Sequence, residues 1–163
     1  MRYATRNVSS ANLSGDTMRN FDATWMTIAE TIATMSTCRV NVGCVLVQSR
    51  RMIGLGYVGS VSGEKHCADV GCLFVDSPAT GRKSCVRTIH AEMNSIINAN
   101  KISSDHVTCY STTQPCVVCL KMLIQFGVTR VCYRQQYVDI WRDAYIADLS
   151  RKPLIEEIAH EEE

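Results

Sequence analysis

Residues Val107 to Tyr133 read VTCYSTTQPCVVCLKMLIQFGVTRVCY. Val107 to Ser111 is a short β-rich run, hence a strand. Pro115 sits where a first-turn proline belongs. It opens a helix over about Cys116 to Phe126 that stops near Gly127. Val128 to Tyr133 is a further buried strand. Strand, helix and strand in this order imply an α/β arrangement around one sheet.

The pattern continues on both sides. Downstream, Ile140 to Leu149 is helical, and Pro153 to Ile158 is either an edge strand or a last helical turn. Upstream, Thr88 caps a helix from about Ile89 to Ala99. Val42 to Val47 is a buried strand, Ser49-Arg50-Arg51 a polar turn, and Met52 to Tyr57 an antiparallel partner. Phe21, Trp25, Ile28, Ala29, Ile32 and Met35 recur at helical spacing and define an amphipathic helix over about Met18 to Met35. Gly59 to Val86 breaks the rhythm with Gly59, Gly63, Gly71, Pro78 and Gly81, and reads as a long loop that something must hold. One domain over residues 18–158 is expected, between a loose polar arm (1–17) and an acidic tail (159–163).

The chain has 163 residues, of which 46% are hydrophobic and 20% charged, so it is neither disordered nor a coiled coil. Its formal net charge of +1 argues against a stable nucleic-acid partner. No window carries the ~18 apolar residues of a membrane span. Nine cysteines without a signal-peptide pattern point to the cytoplasm, where clustered thiols read as metal ligands before disulfides.

Two pieces carry the chemistry: His90-Ala91-Glu92, and Pro115-Cys116-Val117-Val118-Cys119. They form the H-x-E and P-C-x-x-C pattern of zinc deaminases that act on nucleobases. Cys116 and Cys119 lie three apart, on one face of a helix at its first turn, where the exposed N–H groups favour thiolates. With His90 they make three zinc ligands and leave a fourth position open, as a catalytic site requires. Glu92 stands beside the metal set and is the expected general acid–base. A lone C-x-x-C would be an ordinary redox pair, and a lone histidine at a helix start an ordinary cap. Both halves in order, joined by a strand, favour the deaminase site. Arg39 is a candidate for a phosphate through its planar fork, or else a solubilising charge. Asn94 either orients the nucleotide or stabilises the helix end.

The stretch Arg87-Thr88-Ile89-His90-Ala91-Glu92-Met93-Asn94-Ser95-Ile96 closely resembles that of bacterial and phage-type deoxycytidylate (dCMP) deaminases. Val42 to Leu46, Gly56-Tyr57-Val58-Gly59 and Gly63 to Cys72 resemble further segments of that family, over about Phe21 to Ile146 in all. The resemblance implies a three-layer α/β/α sandwich with a mixed five-stranded sheet. It also implies hydrolysis of dCMP to dUMP and ammonia for thymidylate synthesis, with dCTP as a further substrate to test. A cytoplasmic hexamer (host cytoplasm for a phage-encoded chain), with dCTP as activator and dTTP as inhibitor, follows from the same resemblance. So does a tyrosine, here Tyr137, packing on the nucleotide. Some members hold a second, structural zinc by the end of the first helix. Here Cys38, Cys67, Cys72 and Cys85 are the expected ligands, with His66 as an alternate. Cys44, Cys109 and Cys132 read as core thiols. Two positions depart from the family pattern. Val58 stands where an asparagine is usual, and Gln114 precedes Pro115 where an apolar or small residue is common. The rival readings are a tRNA adenosine deaminase and a non-catalytic zinc-stabilised binding module.

Overall fold

The computed structural model describes residues 16–100 and 106–159. Helix α1 (Asp16–Ala33) leads into β1 (Gly43–Gln48) and β2 (Arg51–Tyr57), followed by the two-residue β3 (Gly59–Ser60). A short α2 (Cys67–Val70) precedes β4 (Phe74–Ser77), β5 (Arg82–Cys85) and the brief β6 (Thr88–Ile89). Then come α3 (Ala91–Ile97), β7 (Val107–Thr113), α4 (Val117–Phe126), β8 (Val128–Gln135), α5 (Ile140–Asp148) and β9 (Leu154–Glu157). The main sheet has five strands in the order β2-β1-β7-β8-β9. β1 runs antiparallel to both β2 and β7, whereas β7, β8 and β9 are mutually parallel. The expected mixed sheet is therefore present, and β9 settles the C-terminal alternative in favour of an edge strand.

Alternation along the strands sorts side chains to two faces. Val45, Val47, Tyr110 and Cys132 pack against Met26 and Ala29 of α1. Cys44, Leu46, Cys109 and Val131 face the opposite way, towards Leu120 and Leu123 of α4, with Tyr145 and Ile146 of α5 alongside. Because both faces are covered, β1 is buried from end to end, which explains its unbroken apolar reading. The helices approach closely enough to require glycine. A Cβ on Gly43 would lie 2.1 Å from the Ala29 carbonyl oxygen, and one on Gly56 would lie 2.3 Å from that of Ala91. The β1–β2 connection is a two-residue turn with Ser49 and Arg50 at φ 50° and 61°, the hand that suits twisted hairpins.

Several sequence expectations are corrected. Thr88 does not cap α3; it pairs with Ser60 in β3, and His90 is the N-cap, in extended conformation with its carbonyl accepting from Asn94 N–H at 3.0 Å. The helix is also shorter than expected and ends at Ile97. Pro115 precedes the N-cap Cys116 rather than occupying the first helical turn. The 59–86 segment is not a plain loop, because it carries α2 and an antiparallel β4–β5 hairpin. Of the expected arm, Asp16 and Thr17 belong to α1, and the rest lies outside the described residues, as do residues 160–163 of the tail. Among the described residues, no helix is long and apolar enough to cross a membrane.

Candidate metal centre and catalytic cavity

The parallel strand β7 and its neighbour end at one edge of the sheet, where the N-termini of α3 and α4 converge. Open α/β sheets characteristically bind ligands beyond their strand carboxyl ends. His90 and Cys116 are the N-caps of the two helices, and Cys119 lies one turn into α4. The metal-binding atoms of His90, Cys116 and Cys119 all lie within 4.8 Å of one another. His90 Nδ1 is 3.6 Å from Cys116 Sγ and 3.3 Å from Cys119 Sγ.

The electrostatics suit a cation. Hydrogen bonds from Cys119 and then His90 pull the Cys116 thiol down to about 4, and its bond with Cys116 pushes His90 up to about 9. The lowered Cys116 pKa favours the thiolate form that a metal ligand needs, and Cys116 caps the positive end of α4. Zinc fits this donor set: one imidazole and two sulfurs, with room for a further ligand. Glu92 is 4% exposed and lies in the first turn of α3. Burial raises the pKa of its carboxyl, which also hydrogen-bonds with Cys119.

A cavity of about 400 Å³ opens above this floor of His90, Glu92 and Cys116. Arg39 and Tyr137 line it, as does Val58, which is 6% exposed and donates its N–H to the Val42 carbonyl at 3.0 Å. Asn94 is not part of the lining; its amide donates to the Tyr57 carbonyl at 2.8 Å, tying α3 to β2. Gln114, unexplained by the sequence, also lines the cavity. Its Oε1 accepts from Tyr137 N–H at 3.3 Å.

Two further residues escaped sequence reasoning. Asp139 is 1% exposed; its Oδ2 accepts from Val117 N–H at 2.8 Å, and its Oδ1 from Trp141 and Arg142 N–H at 3.0 and 3.1 Å. Arg142, 3% exposed, donates to the carbonyls of Pro115 and Tyr137 at 3.3 and 2.7 Å. The signal for Asp139 was available: it is an N-cap residue just before Ile140. Arg142 acts through backbone carbonyls and leaves no sequence signature.

A second thiol cluster lies beside the cavity. The sulfurs of Cys38, Cys67 and Cys72 fall within 4.8 Å of one another, and Cys85 Sγ is 3.7 Å from that of Cys67. Burial raises the Cys85 thiol, but N–H groups of Arg87 and Leu73 outweigh it and hold the pKa below the ordinary value. His66 stands apart, exposed, with Nδ1 2.9 Å from Thr37 Oγ1.

A mixed five-stranded sheet with H-x-E and C-x-x-C helices meeting at their N-termini defines the cytidine-deaminase-like class of folds. The chain belongs to the cytidine and deoxycytidylate deaminase family, whose zinc-binding region matches residues 19–135. It is 42% identical over 116 residues to ComE operon protein 2 of Bacillus subtilis (strain 168), covering 69% of this chain and 58% of that protein. It is 30% identical over 124 residues to the deoxycytidylate deaminase of Mycobacterium phage D29, covering 72% of this chain and 96% of the phage protein. The crystal structure of dCMP deaminase from cyanophage S-TIM5, in complex with dCMP and dUMP, superposes with a TM-score of 0.65 at 25% identity. That match covers 85% of this chain and 96% of the cyanophage chain. The chain spans between 38% and 58% of the length of the first curated relatives it matches.

Proposed function

We propose that this protein is a zinc-dependent dCMP deaminase: dCMP and water give dUMP and ammonia, which supplies thymidylate synthesis. The observation that carries the reading is Glu92, a buried carboxyl set against a three-ligand metal set at the floor of an open cavity. A structural metal site needs neither that carboxyl nor that opening. Relatives bearing the name deoxycytidylate deaminase, and the cyanophage enzyme with its dCMP and dUMP, support the same substrate.

His90, Cys116 and Cys119 would hold a zinc ion, which would supply the Lewis acidity that lowers the pKa of water towards neutrality. Glu92 takes one proton from the attacking water and places it on N3 of the cytosine, where it stays in the product; it then carries the second water proton from the new C4 hydroxyl to the amine, which leaves as ammonia. Tyr137 packs on the nucleotide from the cavity wall. The bond from Asn94 to Tyr57 favours its structural reading.

Glu92→Gln is expected to retain zinc and fold while losing at least ~10²-fold in turnover. The assay is ammonia release from dCMP, deoxycytidine, dCTP and an adenosine-containing RNA stem-loop, with zinc measured on the same samples. Near-normal turnover of a zinc-replete Gln variant removes Glu92 from its role. Activity on the stem-loop alone overturns the substrate.

The second cluster supports a structural zinc on Cys38, Cys67, Cys72 and Cys85, leaving His66 out. Elemental analysis should give close to two zinc ions per chain. One zinc, with these four thiols freely titratable, rejects the second site. Homo-oligomerisation, activation by dCTP and inhibition by dTTP are proposed on the family likeness. In the dCTP response, Val58 contributes only its backbone to hydrogen bonding.

A further inference from the structure

We infer that the β4–β5 hairpin provides the phosphate subsite of the catalytic cavity, with Arg82 and Lys83 acting alongside Arg39 to select a cytosine nucleotide over the free nucleoside. This rests on the deaminase reading and names what that site recognises beyond the base.

The charge around the cavity is lopsided. Among its described lining residues the only carboxylate is Glu92, whereas Arg39, Arg82 and Lys83 all contribute to the walls. Among the described residues none of these three cations has a carboxylate within ion-pair distance. Asp76 faces Lys83 in register across the hairpin and still closes no pair with it. The Arg39 guanidinium lies over the ring of Phe74, 5.3 Å from its centroid, so it leans on the first strand of the same hairpin. Cations left unpaired in a partly enclosed site favour an anion, and an arginine fork matches phosphoryl oxygens.

The direction of the substrate follows from chemistry. The cytosine must reach Glu92, so its pyrimidine ring occupies the floor. The 5′-phosphate, at the other end of the nucleotide, then points towards the walls that carry the cations.

The hairpin is also fixed at both ends, so the backbone that carries Arg82 and Lys83 is in place before a ligand arrives. At its base, Cys72 and Cys85 belong to the thiol cluster, and Val86 N–H donates to the Leu73 carbonyl at 2.9 Å. At its tip, Ile140 N–H donates to the Ala79 carbonyl at 3.2 Å, and the Tyr137 hydroxyl hydrogen-bonds with Thr80 and Ser84. The turn between the strands closes through Gly81 N–H on the Ser77 carbonyl at 2.9 Å, with Gly81 at φ 64°. A wall built this way avoids part of the ordering cost of binding.

The test compares zinc-loaded wild type with Arg82→Ala, Lys83→Ala, the double variant and Arg82→Lys. Both residues are exposed, and a melting curve on each variant checks the fold. Two readouts are taken: kcat/KM for dCMP against deoxycytidine, and the calorimetric affinity of dUMP against deoxyuridine. The preference for the phosphorylated partner should fall at least tenfold in the double variant, mainly through KM, and be partly kept in Arg82→Lys. An unchanged preference in both readouts overturns the inference, as does an equal loss on nucleotide and nucleoside. If wild type releases ammonia from no cytosine compound, the deaminase reading falls, and the dUMP titration alone then decides the subsite.

Discussion

Tyr137 is held by its backbone on both sides: Gln114 accepts its N–H, and Arg142 donates to its carbonyl. Its ring is thereby presented to the cavity while its hydroxyl reaches the hairpin. An aromatic–base stack is worth ~1–3 kcal/mol, which corresponds to roughly 5- to 150-fold in affinity. Tyr137→Ala should therefore raise KM for dCMP within that span and lower kcat less. Tyr137→Phe keeps the ring and loses only the bonds to the hairpin, so its KM should rise by a few-fold at most. Both constants and the melting temperature are measured on the same variants. A destabilised Ala variant with unchanged KM would make Tyr137 a packing residue and nothing more.

At the scale of elements, Asp139 joins two helices. One carboxylate oxygen takes the first amide of α4, and the other caps α5. Asp139→Ala removes the cap, worth ~0.5–2 kcal/mol, and leaves the partly buried Val117 amide without its partner, at up to about 1 kcal/mol. The urea midpoint should fall accordingly with an unchanged slope, and Asp139→Asn, which keeps one acceptor, should fall less. Equal midpoints for wild type and Ala would contradict the linkage. The same elements show what the sequence could reveal. β1 and β7 were legible as largely buried runs, and α4 and β8 because Pro115 and Gly127 punctuate them. The candidate metal set could be picked out because ligation demands fixed residue types at fixed spacing. The hairpin was not: β4 and β5 are four residues each and mostly exposed, so they carry no period. His90 hid as an N-cap because its side chain makes no capping bond and turns to the thiols instead.

Across the whole molecule, a partly buried network fastens α1 to the sheet. Asp22 of α1 receives the Tyr110 hydroxyl of β7 at 2.6 Å and two bonds from Arg130 of β8 at 2.8 and 2.7 Å, and Arg130 also pairs with Glu156 of β9. Burial raises the Asp22 pKa, but the bonds from Arg130 and Tyr110 outweigh it and leave the group below its ordinary 3.8. A carboxyl depressed on folding stabilises the fold above its unfolded pKa and loses that contribution as pH falls through the folded value. Melting temperature should thus decline as pH drops below about 4, the ordinary value being 3.8. Asp22→Asn should start lower at pH 7 and decline less steeply; parallel curves for the two proteins would exclude the linkage. The core thiols bear on a different property, the fate of the chain once it has opened. Cys44 and Cys109 sit 3.4 Å apart with no solvent access, and burial pushes Cys132 up to about 12, so all three are inert while the fold persists. Unfolding returns them to ordinary thiols with pKa near ~8.5, open to air oxidation alongside the other six of the nine. Heat inactivation in air then ends in scrambled cross-links and becomes a matter of rate, whereas under reductant the same opened chain remains free to refold.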